Sequence, residues 1–200
     1  MARIYILGAG TPTPTPERFG SSYVAHVGGE YLMFDCGPAA THKLVKAGLW
    51  PTQVDYLFFT HHHFDHDVDY PCFLLCRWDQ AAGRANELKV FGPPSTREFT
   101  RRILDEEVGA FAHDWIARVN APISQRVYVN RGGTLPRLPP TVDVRDVGPG
   151  LVYEGAAWRV TAAPAEHVQP GLRRARQRAD ERDASLASVD RWPTSRQAPD

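Results

Sequence analysis

Apolar and polar positions alternate with clear punctuation through the first half of the chain. Residues 3–8, RIYILG, are a β-branched and aromatic run stopped by glycine, which predicts a strand. Residues 8–22, GAGTPTPTPERFGSS, hold too much glycine and proline for a helix and predict a rigid loop. Residues 22–37, SYVAHVGGEYLMFDCG, predict a hairpin turning at Gly28-Gly29. A short helix follows over 38–48, between Pro38 and Gly48. VDYLFFT, residues 54–60, predicts another strand that runs straight into a histidine-rich stretch.

Beyond that stretch, residues 67–82 predict a helix interrupted early by Pro71, and residues 87–94, ELKVFGPP, a strand and a stop. Ser95 and Glu98 stand at capping-box spacing and predict the start of a helix, which AFAHDWIARV at 110–119 extends. Residues 125–150 predict short strands around a Gly/Pro-rich loop, NRGGTLPRLPP, whose Arg131 and Arg137 are those of an ordinary loop. Residues 151–167 predict a hairpin around Glu154-Gly155. Strands with helices between them, then more strands, imply an α/β layered domain on a mixed sheet. The Gly-x-Gly after the first strand is not a dinucleotide-binding turn, because Pro12 and Pro14 occupy the place where its helix would start.

Composition narrows the function classes. The 200 residues suit one domain with a sizeable core. Lys+Arg and Asp+Glu are each 23, so no charge excess points to nucleic acid or membrane. No apolar run approaches a membrane span or a signal peptide, and the chain reads as cytoplasmic with no membrane partner. Three cysteines fit a reducing compartment, and Cys72 and Cys76 read as a pair of buried thiols.

After Gly171 the pattern stops. Residues 172–200 carry seven arginines and five acids with few aliphatics. They predict an arginine-rich polar tail, disordered or loosely helical, over 171–200, with the domain proper over 1–170.

The stretch FTHHHFDHDVDYP, residues 59–71, packs four histidines and three aspartates into thirteen positions. In extended chain, His61 and His63 point the same way and can grip one metal ion, while His62 points elsewhere. Asp65 and His66 fall at a turn into a helix and can reach a second ion. Imidazoles with a carboxylate suit zinc, and iron or manganese are alternatives. A two-metal centre of this kind attacks an ester through a metal-bound hydroxide.

THHHFDHDVDYP resembles the signature of the metallo-β-lactamase superfamily. The segment YILGAGTPTPTPERFGSSYVAHVGGEYLMFDCGPAATHKL is similar to the N-terminus of its ribonuclease Z and arylsulfatase-like branch, as are VFGPP and VTAAPAEHVQPG. The resemblance covers residues 1 to about 170. It implies an α/β fold, the αββα sandwich of that superfamily, with the first half present and the second largely missing. It implies that His61, His63 and His167 hold a first zinc, that Asp65 and His66 begin a second site, and that Asp65 orients the attacking hydroxide. Asp35 would support the histidine loop, whereas His62, Asp67 and Asp69 take no metal and His26, His42 and His113 no functional role.

The implied activity is zinc-dependent hydrolysis of a phosphodiester, as in transfer-RNA 3′ processing, or of a sulfate ester such as a small aryl sulfate. Phe64 stands where the nuclease usually has a small residue. No Gly-Asp-Thr and no histidine follow His167. The family needs both, so the chain is expected to be truncated, with a tail from a shifted reading frame. The competing expectation is a non-catalytic remnant that binds at most one zinc. A half-covered sheet would also expose apolar surface, which makes a second copy of the chain a candidate partner.

Overall fold

The computed structural model describes residues 2–82 and 87–165, and the backbone of 184–191. A six-stranded sheet runs in the order β1 (Arg3–Gly8), β2 (Ser22–Val27), β3 (Glu30–Phe34), β4 (Val54–Phe58), β5 (Lys89–Gly92), β6 (Asp143–Asp146). Its first three strands are antiparallel neighbours, and β3 through β6 pair in parallel. A second sheet holds β7 (Gly150–Glu154), β8 (Trp158–Pro164) and β9 (Ala184–Arg191), all antiparallel.

Among the described residues six α-helices accompany the large sheet: α1 (Ala40–Lys46), α2 (Phe64–Asp67), α3 (Tyr70–Gln80), α4 (Thr96–Leu104), α5 (Ala112–Asn120) and α6 (Pro122–Asn130). Two cores divide the layers. Leu44, Phe73, Leu74 and Ile103 bring helices onto one face of the large sheet. On the other face Leu32, Tyr56, Phe58 and Phe91 meet Trp158 and Val160 of the second sheet. The resulting order is helix, sheet, sheet.

One bulge decides which side chains go where. The pairing of β3 with β4 skips Asp55 between Tyr31–Val54 and Leu32–Tyr56, and the Asp55 carboxylate accepts the Tyr31 amide at 3.1 Å. Beyond it, Leu57 and Phe59 join the helix-side core while Tyr56 and Phe58 join the inter-sheet core. Apolar surface does remain open on β1, where Ile4 and Ile6 are 70% and 69% exposed.

Four local expectations are corrected. Residues 125–130 are helix, not strand: Pro122 opens α6 with its φ preset, and Gln125 donates to the Val119 carbonyl at the end of α5. Ser95 makes no capping box, because its φ of 89° turns its side chain away and Glu98 pairs with Arg101 and Arg102 instead. Cys72 is exposed and Cys76 half-buried, since that face of α3 points outward. Ala184–Arg191 forms a strand inside the expected polar tail, because strand pairing uses backbone groups and needs few aliphatics. The rest of that tail lies outside the described residues.

Candidate metal centre

The histidine stretch leaves the carboxyl end of β4, beside the loop that leaves β3. This is the edge where parallel sheets present their functional groups. The chain stays extended through His63 (φ −92°, ψ 147°) and then turns into the four-residue helix α2. His61, His62, His63 and His66 are all partly buried, Asp65 and Asp67 are buried, and Phe64 is exposed at the rim.

Three segments are stitched together beneath these side chains. The Ser21 amide donates to the Asp65 carbonyl at 2.9 Å, the Cys36 amide to the His66 carbonyl at 2.6 Å, and the Asp69 amide to the Cys36 carbonyl at 3.0 Å. The close approach explains two glycines. A Cβ on Gly20 or on Gly37 would collide with the Asp65 carbonyl oxygen. Asp69 also reaches across to accept the Thr41 amide at 2.6 Å, closing the first turn of α1, which lacks a side-chain cap of its own.

Asp35 is the hub. It is 2% exposed and sits in the left-handed region (φ 58°). One of its oxygens accepts the Thr60 amide at 2.8 Å, and the other faces His66 Nδ1 at 2.7 Å and accepts the Ser21 hydroxyl at 3.2 Å. Burial opposes a charged His66, but the Asp35 carboxylate outweighs it and the imidazole pKa is raised. With Nδ1 committed to Asp35, His66 turns Nε2 toward Asp65, 3.6 Å from Oδ2.

His61 and His63 come together, Nε2 to Nδ1 at 3.0 Å, and the His61 and His66 rings are 4.0 Å apart. His62 turns away, as its position in the extended run predicts. It stands between Asp67 (3.1 Å) and Thr96 of α4 (2.7 Å) and ties the loop to that helix. His26 stacks on Tyr31 at 4.2 Å, remote from this cluster. Sequence reading missed Thr60, Ser21 and Thr96. Thr60 directly precedes His61 and Ser21 lies in the segment that carries the family resemblance, whereas nothing local marks Thr96.

The metallo-beta-lactamase superfamily profile matches residues 15–171. The chain belongs to that superfamily. Ribonuclease Z from Mycobacterium sp. (strain KMS) is 29% identical over 167 residues, 84% of this chain and 53% of that protein. This chain thus spans about half the length of the curated relatives it matches. Among solved structures, the metallo-beta-lactamase fold protein YhfI from Bacillus subtilis superposes with a TM-score of 0.58 at 15% identity, over 83% of this chain and 55% of that one. Human tRNase Z, short form, gives 0.56 at 20% identity, over 93% and 63%. These likenesses establish the fold.

Superfamily membership raises the question of a metal. The donors at this edge are imidazoles and a carboxylate, the right chemistry for a borderline transition ion. Asp65 Oδ1 is buried and has no hydrogen-bond partner, the state of an oxygen that lacks a cation. Even so, among the described residues no group of three or more His, Cys, Asp or Glu side chains could hold a metal ion. His61 and His63 touch each other, and His167 lies outside the described residues. The residues fit a metal in kind, and the described ones form an incomplete set.

Proposed function

We propose that this chain carries the metal-binding half of a metal-dependent hydrolase that cleaves phosphodiesters, of the ribonuclease Z type, with transfer-RNA 3′ ends as the substrate class. The observation that carries this reading is Asp65: buried, with one oxygen unpartnered, and flanked by imidazoles that Asp35 and Thr60 orient. His61, His63 and His167 would hold a first ion, and Asp65 with His66 would begin a second site. Zinc suits these donors, with iron or manganese as alternatives. A bound ion would supply Lewis acidity and a water of lowered pKa.

The protein's own part is positioning. Asp35 fixes the His66 tautomer by holding Nδ1, and Thr60 Oγ1 stands 3.0 Å from His61 Nδ1. Both Nε2 atoms are thereby left to face the site. Asp65 Oδ1 can accept a hydrogen bond from an attacking water and orient it along the ester. Phe64, 59% exposed beside the histidines, adds bulk that supports a compact ester, including an aryl sulfate, as a further substrate class to test. Three unbridged cysteines, Cys36, Cys72 and Cys76, support a reducing, cytoplasmic setting.

A second reading is a non-catalytic chain that holds at most one ion. The lack of a Gly-Asp-Thr and of a histidine after His167 in this sequence supports it. Turnover of bis(p-nitrophenyl) phosphate, p-nitrophenyl sulfate and a precursor transfer RNA, with and without chelator, decides between them. Chelator-sensitive diester cleavage that is lost in His63→Ala supports the hydrolase. Bound metal at or below one per chain without turnover supports the second reading.

A further inference from the structure

The loop 131–142 takes no part in the metal centre, yet it is tightly built. It closes a cavity of 760 Å³ against the end of α3, with Trp78, Leu88, Leu104 and Tyr128 in its walls. That volume lies in the ordinary range of small-molecule sites. The cavity lies at the Gln80 end of α3, a helix length of about 15 Å from the end that follows the histidine loop.

Arg137 lines this cavity and is 5% exposed. Its guanidinium lies 4.0 Å from the Trp78 ring centroid and 5.0 Å from that of Tyr128. Its Nη2 donates to Asp79 at 2.8 Å, while its Nε is buried without a hydrogen-bond partner. Arg77, 4% exposed, places a second guanidinium in the wall.

The local charge balance is positive. Asp79 is shared by Arg118, Arg131 and Arg137, and Asp114 adds one more carboxylate on Arg118. Three guanidinium groups therefore face two carboxylates. Glu87, the acid among the described lining residues, is exposed at the rim. The wall is otherwise apolar and aromatic, and Trp78 Nε1 holds the loop by donating to the Leu138 carbonyl at 3.0 Å.

We propose that this cavity is a binding site for an apolar carboxylate, an aryl or fatty acid whose body packs on Trp78 and Leu88 and whose carboxylate pairs with the Arg137 guanidinium. The ring-stacked guanidinium is fixed in advance, so binding spends little side-chain entropy. The site is separate from the metal centre and needs no metal.

Calorimetry of the full chain with 2-naphthoate tests this, with 2-naphthamide as the neutral match. Naphthoate should bind one per chain in the submillimolar range and about tenfold tighter than the amide, the usual worth of a hydrogen bond to a charged group. Arg137→Lys should weaken naphthoate by about tenfold, because the ammonium lacks the planar fork. Ala81→Phe, which fills the cavity from its wall and leaves Arg137 intact, should abolish binding. His61→Ala should leave it unchanged. Equal affinity for acid and amide overturns the proposal, as does naphthoate binding that survives Ala81→Phe or no binding to wild type at all.

Discussion

Asp35 and Glu30 bracket the same strand, β3, and each gathers several donors on one carboxylate. Glu30, its first residue, accepts Trp158 Nε1 at 2.6 Å and the Tyr56 hydroxyl at 2.9 Å. Asp35, one residue past its end, takes the Thr60 amide, the Ser21 hydroxyl and His66 Nδ1. The donors at Glu30 are neutral groups on strands, and the one from Trp158 fastens one sheet to the other. At Asp35 the donors come from loops and from the short helix α2, and they include an ionisable imidazole. One end of β3 thus serves stability and the other aims side chains at the candidate metal centre.

Trp158→Ala should make the largest change. Trp158 is fully buried and stands edge-on to Tyr56 at 4.8 Å. Its loss removes the main plug between the sheets and should cost about 3–5 kcal/mol of unfolding free energy in urea. Gly37→Ala comes next, at about 3 kcal/mol, because the new Cβ meets the backbone of Asp65 and Ser21 and neither can yield easily. A Gly37→Ala protein as stable as wild type would show that the stitched loops are looser than described.

Asp35→Asn and Glu30→Gln sharpen the contrast at matched chemistry. Each replaces one acceptor oxygen by an NH2 that faces a donor, and each should cost about 1–3 kcal/mol. Their effects on metal should differ. Asp35→Asn releases His66 and should lower zinc affinity by about 10–100-fold, by competition with a chromophoric chelator. Glu30→Gln should leave zinc affinity as it was. Equal zinc affinities in the two variants would sink the division of labour along β3.

The legible parts of this molecule are those whose cause is local. Strands β1 to β5 stood out because each is a short apolar run with a glycine, proline or polar stop. The histidine loop was legible because spacing alone separates His61 and His63 from His62, and His62 does turn away to Asp67 and Thr96. What stayed hidden depends on partners remote in sequence. Val127 and Val129 alternate like a strand, but Pro122 and the junction with α5 make helix there. Arg137 reads as a loop arginine, yet it is buried because Trp78, fifty-nine positions earlier, supplies the ring beneath it. The polar run after Gly171 carries no strand pattern, and β9 forms where the backbone of β8 offers an open edge.

Asp79 extends the comparison to a carboxylate whose donors are charged. Burial works against its ionised form, but the hydrogen bonds from Arg137 and Arg131 prevail and hold its pKa below the usual range. The folded value is thus lower than the unfolded one, so its stabilisation is complete above the ordinary carboxylate pKa and is lost as pH falls through the lowered value. Urea midpoints of wild type and Asp79→Asn, followed from about pH 6 down to about pH 2, measure this directly. The gap should be widest at the upper end and close at the lower. Its size should be modest, about 1 kcal/mol, because the side chain is 27% exposed and water screens the pair. Other carboxylates titrate in both proteins and drop out of the difference. A gap that stays constant with pH would mean that Asp79 acts through packing and not through charge.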